Sequence, residues 1–193
     1  MKNSTAITYE LDDSIKAARE LAGMVDKNTS FNKNNAVGIL LCDADMDGAA
    51  VTGELNKLLG IEIAGMTTLA TLDRDGYHEA AAVFTVLSDD GCSFIASASE
   101  VITEKDYETK IADVCRAVLP EERGDKNGLI FAYCPNGMTF SGDMYTEILS
   151  KEAGNVPVIG GIASDDYDFK RARVFFPAKN IKILWFLSAF LAT

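Results

Sequence analysis

Ala36-Val37-Gly38-Ile39-Leu40-Leu41-Cys42, continuing through Asp43-Ala44-Asp45-Met46-Asp47-Gly48 to Leu59 and then Ile61 to Met66, decides the fold class. The first seven residues are a continuous apolar run bounded by turn formers, the pattern of a strand buried on both faces. From Gly48 onward Val51, Leu55, Leu58 and Leu59 recur at helical spacing, and Ile61 to Met66 reads as the next strand. A strand, a helix and a strand in so short a span predict an α/β domain whose sheet has a parallel portion.

Toward the N-terminus, Thr5 to Tyr9 reads as a short edge strand. Leu11 to Val25 reads as a helix, with Leu11, Ile15, Ala18, Leu21, Ala22 and Val25 on one face behind Asp12 and Asp13. Asp26 to Asn35 is a polar loop. Toward the C-terminus, Ala80 to Leu87 is expected as a strand, with Cys92 to Ala98 its hairpin partner across Ser88-Asp89-Asp90-Gly91. Glu104 to Leu119 has Ile111, Val114, Cys115 and Val118 on one helical face, and Pro120 ends it. After the polar loop Glu121 to Asn127, Leu129 to Cys134 reads as a buried strand and Ser141 to Ala153 as a helix opened by Ser141 and Asp143. Val156 to Ile159 reads as a strand, and Arg171 to Phe176 as a late antiparallel strand. The expected architecture is α/β, a mixed, partly parallel β-sheet flanked by helices with an inserted antiparallel hairpin. Residues 1–176 are expected to form one domain, and 177–193 an apolar tail that reads as a truncated end. The apolar stretch Ile181 to Leu191, which carries Lys182, reads either as a buried strand or as part of that truncation. No internal repeat is evident.

With 18 Lys and Arg against 29 Asp and Glu, the formal net charge of −11 repels phosphate backbones and anionic headgroups, which argues against nucleic acid and membrane as partners. Cys42, Cys92, Cys115 and Cys134 lie far apart, with no C-x-x-C pair, so buried free thiols in a reducing cytoplasm are expected. The N-terminal segment is amphipathic and charged, unlike a secretory signal, and Ile181 to Leu191 stops well short of the ~20 apolar residues of a membrane span.

Val156-Pro157-Val158-Ile159-Gly160-Gly161-Ile162-Ala163-Ser164-Asp165-Asp166 carries the strongest functional pattern: an apolar run breaks on two glycines and ends in one hydroxyl and two carboxylates. In open α/β sheets ligands sit beyond the carboxyl ends of strands, where loops converge over a rigid core. Four strands end that way here, before Asp43 to Gly48, Thr67-Thr68, Pro135-Asn136-Gly137 and Gly160-Gly161. The candidate ligand-binding residues are therefore Thr67, Thr68, Asn136, Gly160, Gly161, Ser164, Asp165 and Asp166. The glycines, read as a turn, would admit close backbone approach, the hydroxyls would offer hydrogen bonds, and a carboxylate could hold a cationic amine.

Asp43, Asp45, Asp47, Gly48 and Glu54 fit the calcium-loop pattern D-x-D-x-D-G-x5-E. Yet the preceding segment is β-like, Val51 stands where a polar ligand is usual, and no second loop pairs with it. An Asp-rich helix N-terminus, favourable for the macrodipole, is the preferred reading, with a calcium-binding module as the alternative. His78, the single histidine, lies in a turn with no Cys or Ser aligned to it, and Ser164 lacks the G-x-S-x-G elbow. No G-x-G-x-x-G opens a helix. A binding module is therefore expected in preference to an enzyme, with no cofactor.

Taken in order, Ile63-Ala64-Gly65-Met66-Thr67-Thr68, the Asp75-Gly76 turn, Leu129 to Cys134 with Pro135-Asn136-Gly137, and Val156 to Asp166 followed by Phe169 and Arg173-Val174-Phe175-Phe176 resemble the N-terminal half of the FIST sensory domain. The resemblance spans about residues 36 to 176. It implies an intracellular signal-input domain that binds a small polar ligand such as an amino acid and acts on a separate output protein such as a histidine kinase. It also implies haem as an alternative ligand, since some members of the family bind it. Leu69-Ala70-Thr71-Leu72 replaces the family's usual glycine-glutamate continuation.

Overall fold

The computed structural model describes residues 1–28, 31–119, 128–136, 140–167, 170–176, 179–181 and 185–191. The chain begins β1 (Lys2–Thr8), α1 (Ser14–Asn28), a 3-10 turn (Lys33–Asn35), β2 (Ala36–Cys42), α2 (Gly48–Leu59) and β3 (Glu62–Thr67). A small hairpin follows, β4 (Thr71–Asp73) and β5 (Gly76–His78), and then β6 (Ala82–Ser88). The second run is β7 (Cys92–Ala98), α3 (Tyr107–Val118), β8 (Gly128–Cys134), α4 (Gly142–Ala153) and β9 (Val158–Ile162). The chain continues with β10 (Val174–Phe176), β11 (Lys179–Ile181) and β12 (Trp185–Leu191).

Two mixed sheets result, ordered β1-β6-β2-β3-β10-β11 and β7-β12-β8-β9. In the first, β2 runs parallel to β3 and antiparallel to β6. Both faces of β2 are apolar because both are covered: Leu40 and Cys42 pack toward α1 and α2, while Val37, Ile39 and Leu41 face the other sheet. Likewise Ile130, Ala132 and Cys134 of β8 pack with α3 and α4, and Phe131 and Tyr133 meet the first sheet. Helices lie outside and two sheets lie between them. The α/β class with flanking helices is the expected one.

An inserted antiparallel hairpin is present, but it is β4–β5. The hairpin expected across Ser88-Asp89-Asp90-Gly91 is not: β6 is already paired on both edges, to β1 and β2, so the chain crosses there into the second sheet. The two glycines expected in a turn lie inside β9, extended strand paired in parallel to β8. A Cβ at Gly160 would sit 1.8 Å from the Ala132 carbonyl oxygen, so close backbone approach, not reversal, demands glycine there. Residues 185–191 of the expected tail form β12, between β7 and β8. Pro120, the loop 121–127, Gly137 and Phe169 lie outside the described residues.

The expectation of no internal repeat is also corrected. The series β1-α1-β2-α2-β3-β6, in sheet order β1-β6-β2-β3, recurs as β7-α3-β8-α4-β9-β12, in order β7-β12-β8-β9, with the same strand directions. Details follow suit. Helices α2 and α4 each open on glycine behind a capping side chain, Asp47 accepting from Ala50 N–H at 3.1 Å and Ser141 from Met144 N–H at 3.4 Å. In each, a threonine hydroxyl bonds back to that glycine's carbonyl, Thr52 to Gly48 at 2.6 Å and Thr146 to Gly142 at 2.8 Å. Each ends at a glycine of positive φ, Gly60 at 69° and Gly154 at 63°. Gly65, whose Cβ would lie 2.0 Å from the Leu40 carbonyl oxygen, is the counterpart of Gly160.

Candidate functional site

Parallel pairs β2–β3 and β8–β9 bring two sets of carboxyl-end loops to the junction of the halves, and hydrogen bonds join them. Ser164 donates its N–H to the Thr67 carbonyl at 3.0 Å, and its hydroxyl oxygen accepts from Leu69 N–H at 3.1 Å. Thr67, 1% exposed, donates its N–H to the Arg173 carbonyl at 2.9 Å while its hydroxyl oxygen accepts Arg173 N–H at 3.0 Å. Thr68 bonds to the Cys42 carbonyl through its N–H and to the Ala70 carbonyl through its hydroxyl.

Asp165 organises the next loop. It is 3% exposed, and its Oδ2 accepts backbone N–H groups of Lys170, Arg171 and Ala172 at 3.0, 2.8 and 3.1 Å. A buried carboxylate with several donors is the satisfied form of a group otherwise costly to bury. Tyr167, between them, is 76% exposed and held at φ 63°, a backbone conformation that costs a bulky residue free energy and persists only where its surroundings impose it. With the backbone of residues 170–172 held by Asp165, Arg171 projects between Asp45 and Asp166, its guanidinium paired with both, at 3.2 Å to Asp166. The Asp45 carboxylate, chiefly, raises the guanidinium's pKa above its ordinary value.

The structure thus brings Thr67, Ser164 and Asp165 together in a knot of internal hydrogen bonds, with Thr68 beside it and Asp166 at the surface. Asn136 stands partly buried at the end of β8, and Gly160 and Gly161 lie back along β9, where a Cβ at Gly161 would come within 3.2 Å of Met66 Cε. Arg171 and Arg173 escaped the sequence reading as site residues. The signal was present: Lys170-Arg171-Ala172-Arg173 is a compact basic run beside the acidic pair Asp165-Asp166.

The carboxylates of the calcium pattern point to separate partners. Asp43 accepts from Asp45 N–H at 2.8 Å, Asp45 pairs with Arg171, Asp47 caps α2, and Glu54 pairs with Lys57 at 3.2 Å. Among the described residues no group of three or more metal-ligating side chains converges. His78 does not fit a haem ligand as it stands: Nδ1 is 2.7 Å from the Tyr9 hydroxyl and Nε2 2.8 Å from Asp73. The histidine beside it, above all, holds the Asp73 carboxyl below the usual range. All four cysteines are buried and none is in a disulfide, and burial pushes the Cys134 thiol up to about 12. Among the described residues no helix is long and apolar enough to cross a membrane.

A cyanuric acid hydrolase from A. caulinodans is similar in structure at a TM-score of 0.44 and 9% identity, covering 99% of this chain and 67% of that one. Likeness at that level bears on neither substrate nor activity. No curated protein matches in sequence. The model of the FIST N domain, a sensory domain of signal transduction, does match, over residues 36–182, from β2 through the knot of Thr67, Ser164 and Asp165 and past β10. The chain therefore belongs to the FIST N domain family.

Proposed function

We propose that this domain is a cytoplasmic signal-input module, not an enzyme, and that it binds a small polar metabolite at the surface of Asp45, Arg171 and Asp166. It passes the change to a separate output protein such as a histidine kinase. The observation that carries this reading is the placement of one guanidinium between two carboxylates, with the backbone of residues 170–172 held by Asp165. An amino acid offers the matching charges, a carboxylate for the planar fork of Arg171 and an ammonium for Asp45 or Asp166. Thr68, bonded through its N–H to the Cys42 carbonyl, stands at the end of β2 that leads to Asp45. Occupation would exchange the Arg171–Asp45 pair for ligand contacts, and Arg171 is two residues from Arg173, which is tied to Thr67 of β3. Four buried cysteines outside any disulfide accord with a reducing compartment.

The test is a thermal-shift and calorimetric screen of amino acids at low salt, with simple amines and carboxylates as half-ligands. A ligand present at 100 times its Kd stabilises the fold by about 2.7 kcal/mol. At least one amino acid should raise the melting temperature more than its half-ligands do, and Arg171→Gln should abolish the shift. An amino acid that stabilises the wild-type and Arg171→Gln chains equally would move the site elsewhere, and no shift across the panel would remove this ligand class.

A further inference from the structure

The internal repeat shows what one open edge of the molecule lacks. β7 stands at a sheet edge, as its counterpart β1 does. β3 and β9 differ. Beyond β3 lies β10, antiparallel, with Phe175 opposite Gly65 and Val174 opposite Met66. Phe175 is 2% exposed, and its ring lies against the helix start so closely that a Cβ on Gly48 would be 2.3 Å from it. Beyond β9, among the described residues, no strand is paired.

The backbone of β9 is in register for such a neighbour. Ala163 N–H donates to the Cys134 carbonyl at 2.8 Å, and the Pro157 carbonyl accepts Ile130 N–H at 2.9 Å. Odd-numbered residues therefore bond inward to β8, leaving the N–H and C=O of Val158, Gly160 and Ile162 directed to the open side. Gly160 and Ile162 occupy the positions of Gly65 and Thr67, and Thr67 N–H bonds to the Arg173 carbonyl just before β10. Ile159 and Ile162 are 48% and 37% exposed, and β9 has none of the charges with which edge strands commonly discourage pairing. Between β9 and α4 a groove of about 700 Å³ runs past Gly142, Tyr145 and Leu149, where Phe175 and its surroundings fill the first half.

We propose that the open side of β9 is a docking site for an extended segment of a partner polypeptide, which adds antiparallel to β9 and seats an aromatic side chain in the groove over Gly142. Main-chain pairing holds the segment and the groove selects the aromatic, the mode of recognition known as strand addition. The occupant's chemistry is read from β10, the segment that completes the same geometry in the first half. The site is independent of the metabolite reading, since it uses neither Arg171 nor its carboxylates.

The probe is a capped peptide copying residues 170–176, Lys-Arg-Ala-Arg-Val-Phe-Phe, added to the full chain and followed by fluorescence anisotropy and amide hydrogen exchange. The peptide should bind saturably and slow exchange at Val158, Gly160 and Ile162. A peptide with Phe175→Ala, equal in charge, should bind at least about tenfold more weakly, as expected when an anchor residue is truncated. The chain variant Ile159→Asp should lose binding; the peptide variant reports without any change to the protein. Equal binding of both peptides would mean charge attraction to an acidic protein and would overturn the proposal. So would protection at Gly65 in place of Gly160, which signals exchange with β10, absence of binding at millimolar peptide, or self-association abolished by Ile159→Asp, which would give the edge to a second copy.

Discussion

In the first half of the molecule the strand after α2 has a neighbour on each side, β2 and β10; among the described residues the strand after α4 has only β8. The helices are otherwise matched in length, glycine start, threonine back-bond and positive-φ glycine end. The same backbone plan therefore supports a closed core in one half and an open groove in the other, and one aromatic residue accounts for much of the difference. Phe175→Ala is the most direct way to break the comparison. It removes a fully buried ring from between β3 and α2, and a loss of about 3–5 kcal/mol in urea denaturation is expected. A loss under about 1 kcal/mol would mean that the first half is closed by something other than this ring.

The paired glycines sharpen the contrast at smaller amplitude. In Gly48→Ala the new methyl would meet the Phe175 ring at 2.3 Å, against a side chain packed on all sides, so about 1–3 kcal/mol of overpacking cost is expected. In Gly142→Ala the nearest atom is Ile162 Cδ1 at 3.2 Å, on a half-exposed side chain at the open edge that can swing away. That substitution should be neutral or stabilise by about 0.4–1 kcal/mol through the lost freedom of the unfolded chain. Equal costs in the two melts would show that the grooves are not as unlike as the structure makes them. Bound peptide should reverse the sign at residue 142, since an aromatic seated over it would recreate the crowding of residue 48.

The glycines also show what was legible in the sequence and what was not. The helices and most strands were readable because periodicity reports which faces are buried, and Ala36 to Cys42 is apolar throughout since layers cover both its faces. Partner choice was not readable. Ser88 to Gly91 has the composition of a hairpin turn, and nothing local reveals that β6 already has strands on both edges. Gly160-Gly161 looks like reversal, but a close carbonyl demands glycine as firmly as a turn does. The repeat escaped notice because it survives only as scattered constraints, such as a cap, a threonine and positive-φ glycines, with different side chains packed around them. At the candidate site the hydroxyl and carboxylate positions were found, but their bonds to Arg173 and the 170–172 backbone were not, since no local pattern reports where residues 170–173 lie in space.

The smallest effect compares the helices that open each half. α1 starts at Asp13, whose Oδ1 accepts Ile15 and Lys16 N–H groups at 3.0 Å each; α3 starts at Asp106, whose Oδ1 turns back to accept Thr103 N–H at 2.7 Å and its hydroxyl at 2.9 Å. Lys110, 3.0 Å from the other oxygen, is the first cause holding the Asp106 carboxyl down at about 2, with the Thr103 bonds next. A carboxyl depressed in the folded state stabilises it fully above its ordinary value, and that contribution fades as pH falls from about 4 toward about 2. Asp106→Asn should therefore flatten this part of the acid limb of stability against pH while leaving the slope at neutral pH unchanged. The pair is exposed, so the difference between variant and wild type should shrink in ~1 M salt, where screening acts within about 3 Å. An acid limb that is the same in both proteins at low salt would show that the Thr103–Asp106–Lys110 bonds do not outlast hydration.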